Sequence, residues 1–301
     1  MYRITHIINP VKVAENSDLY KSQPITFATM LFAKNSAKNG QQIHLCTTQF
    51  EEDLSICPEG FSILSNLTRS VNNINHNLSE KKLPLIADIL EKLKEAPEAD
   101  YYIYTNTDIA LMPFFYDAVH QYVLNGHDAM VINRRRISGK YISVNELPLM
   151  YADLGKSHPG FDCFVFKKEL LDKFVFGNIC VGIPFLEVSF IHNIVSFAKN
   201  PLFVFDAHLT FHIGMDVMPK RNKSYYWHNR NEFFKHIYPA LKPHFSLDKF
   251  PYAALPFYKR AVKWVLNPSL FTRNYFALQG KDWLEKVKYV LNEIRWMILQ
   301  R

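Results

Sequence analysis

The chain has 301 residues, 48% of them hydrophobic and 21% charged, enough apolar mass for a full core and too much for a disordered or collagen-like chain. Its net charge of +7 is unevenly placed: residues 251–301 carry nine Lys and Arg against three Asp and Glu, six of the seven net charges. Cys46, Cys57, Cys163 and Cys180 form no Cys-x-x-Cys pair, so no disulfide scaffold is expected and a reduced, cytoplasmic compartment is the simplest reading.

The N-terminal apolar run is too short for a signal peptide, and no stretch reaches 18 apolar residues without a charge or His. Residues 3–8 alternate as a first buried strand that stops at Asn9-Pro10. A helix is expected over 24–38, with Pro24 in its first turn, Ile25, Ala28, Leu31 and Phe32 at helical spacing, and Asn39-Gly40 as its stop. Strands follow at 43–47 and 61–64, then a helix over 79–96 and an aromatic strand at 101–104. The second half reads as a helix at 114–125, a strand at 129–132, a polar loop over 133–157, a strand at 163–166, a helix at 185–198 and a strand at 202–205. This alternation predicts an α/β sandwich with a mostly parallel central sheet. After Gly214 the pattern turns to Pro-punctuated helical pieces, so a catalytic-size domain over 1–215 and a basic, aromatic-rich helical region over 216–301 are expected.

Thr105-Asn106-Thr107-Asp108-Ile109 stands at the carboxyl end of the aromatic strand, where open α/β sheets bind ligands. Oxygen donors at such a place suit Mg²⁺ or Mn²⁺, which complete their shells with substrate phosphates, although Asn and Asp also make ordinary turns. His208 and His212, four apart, share one face of a strand or a helix; His212 is the preferred metal ligand because Gly214 lets a loop close beside it. No Gly-x-Ser-x-Gly elbow, phosphate loop or Rossmann glycine pattern occurs, and ten glycines make a glycine-rich cradle unexpected.

The segment Tyr101 to Leu111 resembles the Asp-x-Asp segment of the GT-A-fold glycosyltransferases, which use nucleotide-sugar donors. Ser157 to Cys163, with Gly160 and Asp162, is similar to that superfamily's loop beside the donor sugar, and Ile183 to Glu187 to its acidic position on the acceptor side. Asp206 to Gly214 supplies the late histidine. The resemblance covers residues 1–215 and departs from the pattern at Asn106, which replaces the first carboxylate.

What it implies is a GT-A-like α/β/α sandwich, a nucleotide-diphosphate sugar as donor, a saccharide or lipid-linked acceptor, and polysaccharide biosynthesis as the setting. Asp108 would bridge the ion to the donor diphosphate and His212 would complete the shell. Glu187 is the candidate base, since it interrupts an apolar run from Ile179 to Ile191; a Glu in a first helical turn is also stabilised by the helix dipole. Asp162 is the reserve candidate. Arg134, first of three consecutive arginines, and Arg69 are donor-site candidates, with a solvated charge run the alternative for the former.

Two other functions compete: sugar nucleotidyl transfer, and a non-catalytic module binding glycans or lipids. The basic tail, holding Trp264, Trp283 and Trp296, reads either as a helical cap or as a peripheral contact with the inner face of an anionic membrane rather than with nucleic acid. Its apolar stripe runs from Trp283 to Ile298.

Overall fold

The computed structural model describes residues 2–38, 41–205, 207–214 and 223–266. The expected stripe from Trp283 to Ile298 lies outside these residues. The chain divides into two compact units, Met1–Lys249 and Phe250–Arg301.

Nine strands form the sheet among the described residues of the first unit: β1 (Arg3–Ile8), β2 (Gln42–Thr47), β3 (Ser62–Ile63), β4 (Tyr101–Thr105), β5 (Ala110–Leu111), β6 (Ala129–Ile137), β7 (Lys156–Lys167), β8 (Pro201–Val204) and β9 (Thr210–Ile213). Its helices are α1 (Asp18–Ser36), α2 (Val71–Ile74), α3 (Ile86–Glu91), α4 (Phe115–Leu124), α5 (Leu147–Ala152), α6 (Lys168–Leu171), α7 (Leu186–Phe197), α8 (Lys223–Glu232) and α9 (Tyr238–Leu241). The strand order is β3-β2-β1-β4-β7-β6-β9-β5, with β8 also on β6. β1, β2, β3 and β4 pair in parallel, as do β6 with β8 and β9, while β7 runs antiparallel to both β4 and β6. The mostly parallel α/β sandwich is therefore present, with β7 reversed at its centre and β5, antiparallel to β9, reversed at its edge.

The pleat sorts the core into two layers. Ile4, Ile8, Ile103 and Val165 pack with Phe27 and Met30 of α1 and Phe115 and Val119 of α4. On the other face Tyr104 and Phe164 stack on Phe190 of α7, with ring centroids 5.4 Å and 4.1 Å apart. Helices thus cover both faces.

Several elements differ from the sequence reading. α1 starts at Asp18, where Ser17 Oγ accepts from Leu19 N, so Pro24 lies inside the helix rather than opening it. The helix expected over 79–96 shrinks to α3 and a 3₁₀ turn, because Pro84 and Leu85 bridge to Ser70 and Cys180 in extended conformation. The loop expected over 133–157 holds the second half of β6 and the helix α5. The break between units falls at 249/250, not near 215. Buried Asn229 ties α8 into the first unit by accepting from Cys180 N and donating to Cys180 O, and Tyr225 OH bonds the backbone at Lys81.

Two histidines are sealed in this unit. His6 sits between the hydroxyls of Tyr116 (3.0 Å) and Thr105 (2.9 Å), and burial pushes its pKa down to about 3. His192 meets Val188 O at 2.8 Å and stacks on Phe245; burial outweighs that bond and lowers it to about 4. Both stay neutral in the fold but protonate in the unfolded chain below about pH 6.5. Stability is therefore expected to fall with pH from about 6.5 downward. In urea unfolding at pH 6.5 and pH 5, His6→Gln should lose about 2 kcal/mol less than the wild type. Equal losses would show that His6 does not carry that linkage.

Candidate active site

β4 ends at Thr105, whose last ladder partner is Cys163 of β7, so Asn106 and Asp162 come opposite each other one step further on. The β6–β7 register shifts at the same place: Ile132 pairs with Cys163 and Asn133 with Phe161, leaving Asp162 as the extra residue of a bulge. A bulge bends its strand and re-aims the side chain. Here Asn106 Nδ2 donates to Asp162 Oδ1 at 3.2 Å, and Arg134 of β6 pairs with Asp162 Oδ2.

Tyr104 completes this chain by donating its hydroxyl to Asn106 Oδ1 at 3.0 Å. Burial, then the carboxylates of Asp108 and Asp162, push its phenol well above the usual range, so it remains a donor. From the sequence alone Tyr104 is a strand residue with no part in the site. The available signal was its spacing: i and i+2 on a strand share a face, so Tyr104 had to accompany Asn106.

Asp108 turns out of the same loop just before β5. Because β5 pairs with β9, Asp108 arrives beside His212, with Oδ2 and Nε2 3.3 Å apart. Burial raises the Asp108 carboxyl, but the hydrogen bond and charge of His212, together with Arg134, outweigh it and hold its pKa below the ordinary value. Asp108 is thus a carboxylate at neutral pH.

Glu187 lies in the first turn of α7, after Phe185, whose left-handed φ of 82° sets the entry into the helix. Its Oε2 accepts from Phe161 N at 3.3 Å, so β7 holds Glu187 and Asp162 through adjacent residues. Gly160 lies between His158 and Glu187, and its N–H donates to His158 Nδ1 at 2.9 Å.

Other candidates stand apart. Arg69 pairs with Asp88, and its contacts reach neither Asp108 nor Asp162. His208 precedes β9 with a left-handed φ of 51°, so it does not share a strand face with His212 as the spacing predicted. Asp206 lies outside the described residues.

Among the described residues no three His, Cys, Asp or Glu side chains gather around one point. Asp108 and His212 nevertheless fit an ion that takes one or two side-chain ligands and finishes its shell with phosphate oxygens, as Mg²⁺ does at nucleotide sites. Asn106 adds no charge to that set.

No protein-family profile matches the sequence, and no curated protein matches it. The chain is similar to solved structures. S. aureus TarS 1–349 in complex with UDP-GlcNAc is 9% identical, with a TM-score of 0.46 over 82% of this chain and 77% of that one. Glucosyl-3-phosphoglycerate synthase from Mycobacterium tuberculosis, with Mn²⁺, UDP and phosphoglyceric acid, is 13% identical, with a TM-score of 0.45 over 80% and 78%. TM-scores below 0.5 bear on neither the activity nor the site of this chain.

The packing around Gly160 makes a sharp expectation. A Cβ there would come within 2.8 Å of His158 Cε1 and 3.2 Å of Glu187 Oε2. Gly160→Ala must displace the imidazole that accepts its own N–H, so it should cost about 1–3 kcal/mol in denaturant unfolding. A variant as stable as the wild type would mean that this loop yields freely.

Proposed function

We propose that the protein is a GT-A-like glycosyltransferase that moves a sugar from a nucleotide-diphosphate donor to a hydroxyl of a saccharide or lipid-linked acceptor. The observation that carries this reading is the meeting of Asp108, His212, Arg134, Asp162 and Glu187 where β4, β6, β7, β9 and α7 converge.

Asp108 and His212 are the residues that would hold a divalent ion, Mn²⁺ or Mg²⁺. Such an ion supplies Lewis-acid stabilisation of the departing nucleoside diphosphate. Arg134, drawn toward the loop by Asp162, adds fixed positive charge next to Asp108. Glu187 is the base: its carboxylate removes the acceptor hydroxyl proton as the new glycosidic bond forms, in a transfer that inverts configuration. Phe161 N donates to one of its oxygens and ties it to β7. Gly160 lets the His158 ring and the Glu187 carboxylate close against the β7 backbone.

Two substitutions separate these roles. Asp108→Ala should abolish the Mn²⁺-dependent part of nucleotide binding in calorimetry. Glu187→Gln should leave donor KM nearly unchanged while kcat falls by about 10²–10⁴. Wild-type turnover in Glu187→Gln would remove it from the mechanism and leave Asp162 as the candidate. Release of inorganic pyrophosphate in place of nucleoside diphosphate would instead identify nucleotidyl transfer.

The second unit supports a membrane-surface location. In α10 (Phe257–Leu266), Phe257, Tyr258 and Val262 are exposed on one arc, Phe257 at 72%, while Lys259, Arg260 and Lys263 lie on the rest of the turn. An exposed aromatic face flanked by lysines suits the interface of an anionic bilayer, where each basic residue contributes about 1 kcal/mol. No helix among the described residues is long and apolar enough to cross a membrane. The full chain should co-sediment with phosphatidylserine vesicles in a salt-sensitive way, and Lys259→Glu with Lys263→Glu should weaken this. Binding unchanged by the double reversal, or absent at low salt, would sink this location.

A further inference from the structure

We infer that Asn106 is a positioning residue for Asp162, not a weakened metal ligand, and that an aspartate at this position would damage the site. This rests on the glycosyltransferase reading of the loop, in which the resembled pattern has a carboxylate here. The β4–β7 register puts residues 106 and 162 opposite each other, and their side-chain atoms meet at 3.2 Å. Two carboxylates at that separation repel, and like charges directly across a strand pair are destabilising.

The neighbours of Asn106 demand one donor and one acceptor in fixed directions. Its Nδ2 must donate, because Asp162 is a carboxylate paired with Arg134; its Oδ1 receives the hydroxyl of Tyr104. Aspartate lacks the donor, leucine lacks both, and glutamine is longer by a methylene. With Asp162 only 14% exposed and Arg134 11%, the pair is poorly screened, and a second carboxylate would compete for the same guanidinium.

Asn106 acts through Asp162. Asp162 occupies the bulge of β7, adjoins the residue whose N–H holds Glu187, and draws in Arg134, whose charge also favours the ionised form of Asp108. Asn106 therefore fixes the placement of the positive charge beside Asp108. The charge missing from the Asp-x-Asp pattern is present one strand over, at Asp162.

The test compares the wild type, Asn106→Asp, Asp162→Asn and the exchanged double variant, using thermal melting and calorimetric titration with UDP, GDP and CDP in Mn²⁺. Asn106→Asp should melt lower by roughly 3 °C or more and bind its nucleotide at least about tenfold more weakly. The exchanged variant, with carboxylate and amide traded, should recover at least half of the melting loss. If Asn106→Asp does not fold alone, recovery of a folded chain in the double variant is the expected rescue.

Unchanged or raised melting of Asn106→Asp, or a double variant no more stable than it, overturns the coupling whatever the nucleotide does. Equal or tighter Mn²⁺-nucleotide binding by Asn106→Asp overturns the positioning role. Failure of the wild type to bind any of the three nucleotides strikes the glycosyltransferase reading alone, and the melting comparison then still decides the coupling.

Discussion

The antiparallel pairing of β7 with β4 is the constraint on which the candidate site depends. A purely parallel sheet would set only the carboxyl ends of its strands toward the cleft. Reversing one central strand brings the amino-terminal half of β7, with Gly160, Phe161 and Asp162, against the end of β4. The bulge at Asp162 then turns that carboxylate toward Asn106 and Arg134. The same segment reaches Glu187 at the start of α7 through a single backbone N–H. Lose the register and all of these groups separate, because a one-residue slip sends alternate side chains to the opposite face.

A second pairing brings in the remaining carboxylate. β5 is only two residues long, yet its pairing with β9 sets Asp108 against His212. Beneath the loop the chemistry is dry: His6 is sealed and neutral between Thr105 and Tyr116, and Tyr104 is stacked on Phe190. Ionisable groups are thus sorted sharply, with neutral ones under the sheet end and charged ones at its rim. A buried unpaired charge in the lower layer would cost several kcal/mol, and His6 accordingly stays neutral between the hydroxyls of Thr105 and Tyr116.

The fold was legible wherever periodicity was strong. Strands at 3–8, 43–47, 101–104 and 163–166 and the helix near 185–198 emerged from apolar patterning alone, since each buries most of its residues. Short elements were not: β5 and α2 have too few residues to show a period, and Pro24 was read as a helix start because nothing local reveals that Ser17 caps the chain earlier. The site divided similarly. Asn106, Asp108, Glu187 and His212 were marked by residue type and place in order, while Arg69 was marked by place alone and pairs with Asp88 instead. The Asn106–Asp162 contact could not be read at all, because their 56-residue separation is closed by a strand register that only the sheet reveals.

In the proposed reaction the loop after β4 receives a nucleoside diphosphate with a divalent ion. Thermal melting of the full chain with UDP, GDP, CDP and ADP, each with and without Mn²⁺, tests it most directly, because a ligand of the folded state alone adds about 2.7 kcal/mol at a hundred times its Kd. At least one nucleotide should raise the melting temperature in Mn²⁺ and do so much less without it. Melting curves that none of the four displaces, at millimolar nucleotide with Mn²⁺ present, would contradict the claim.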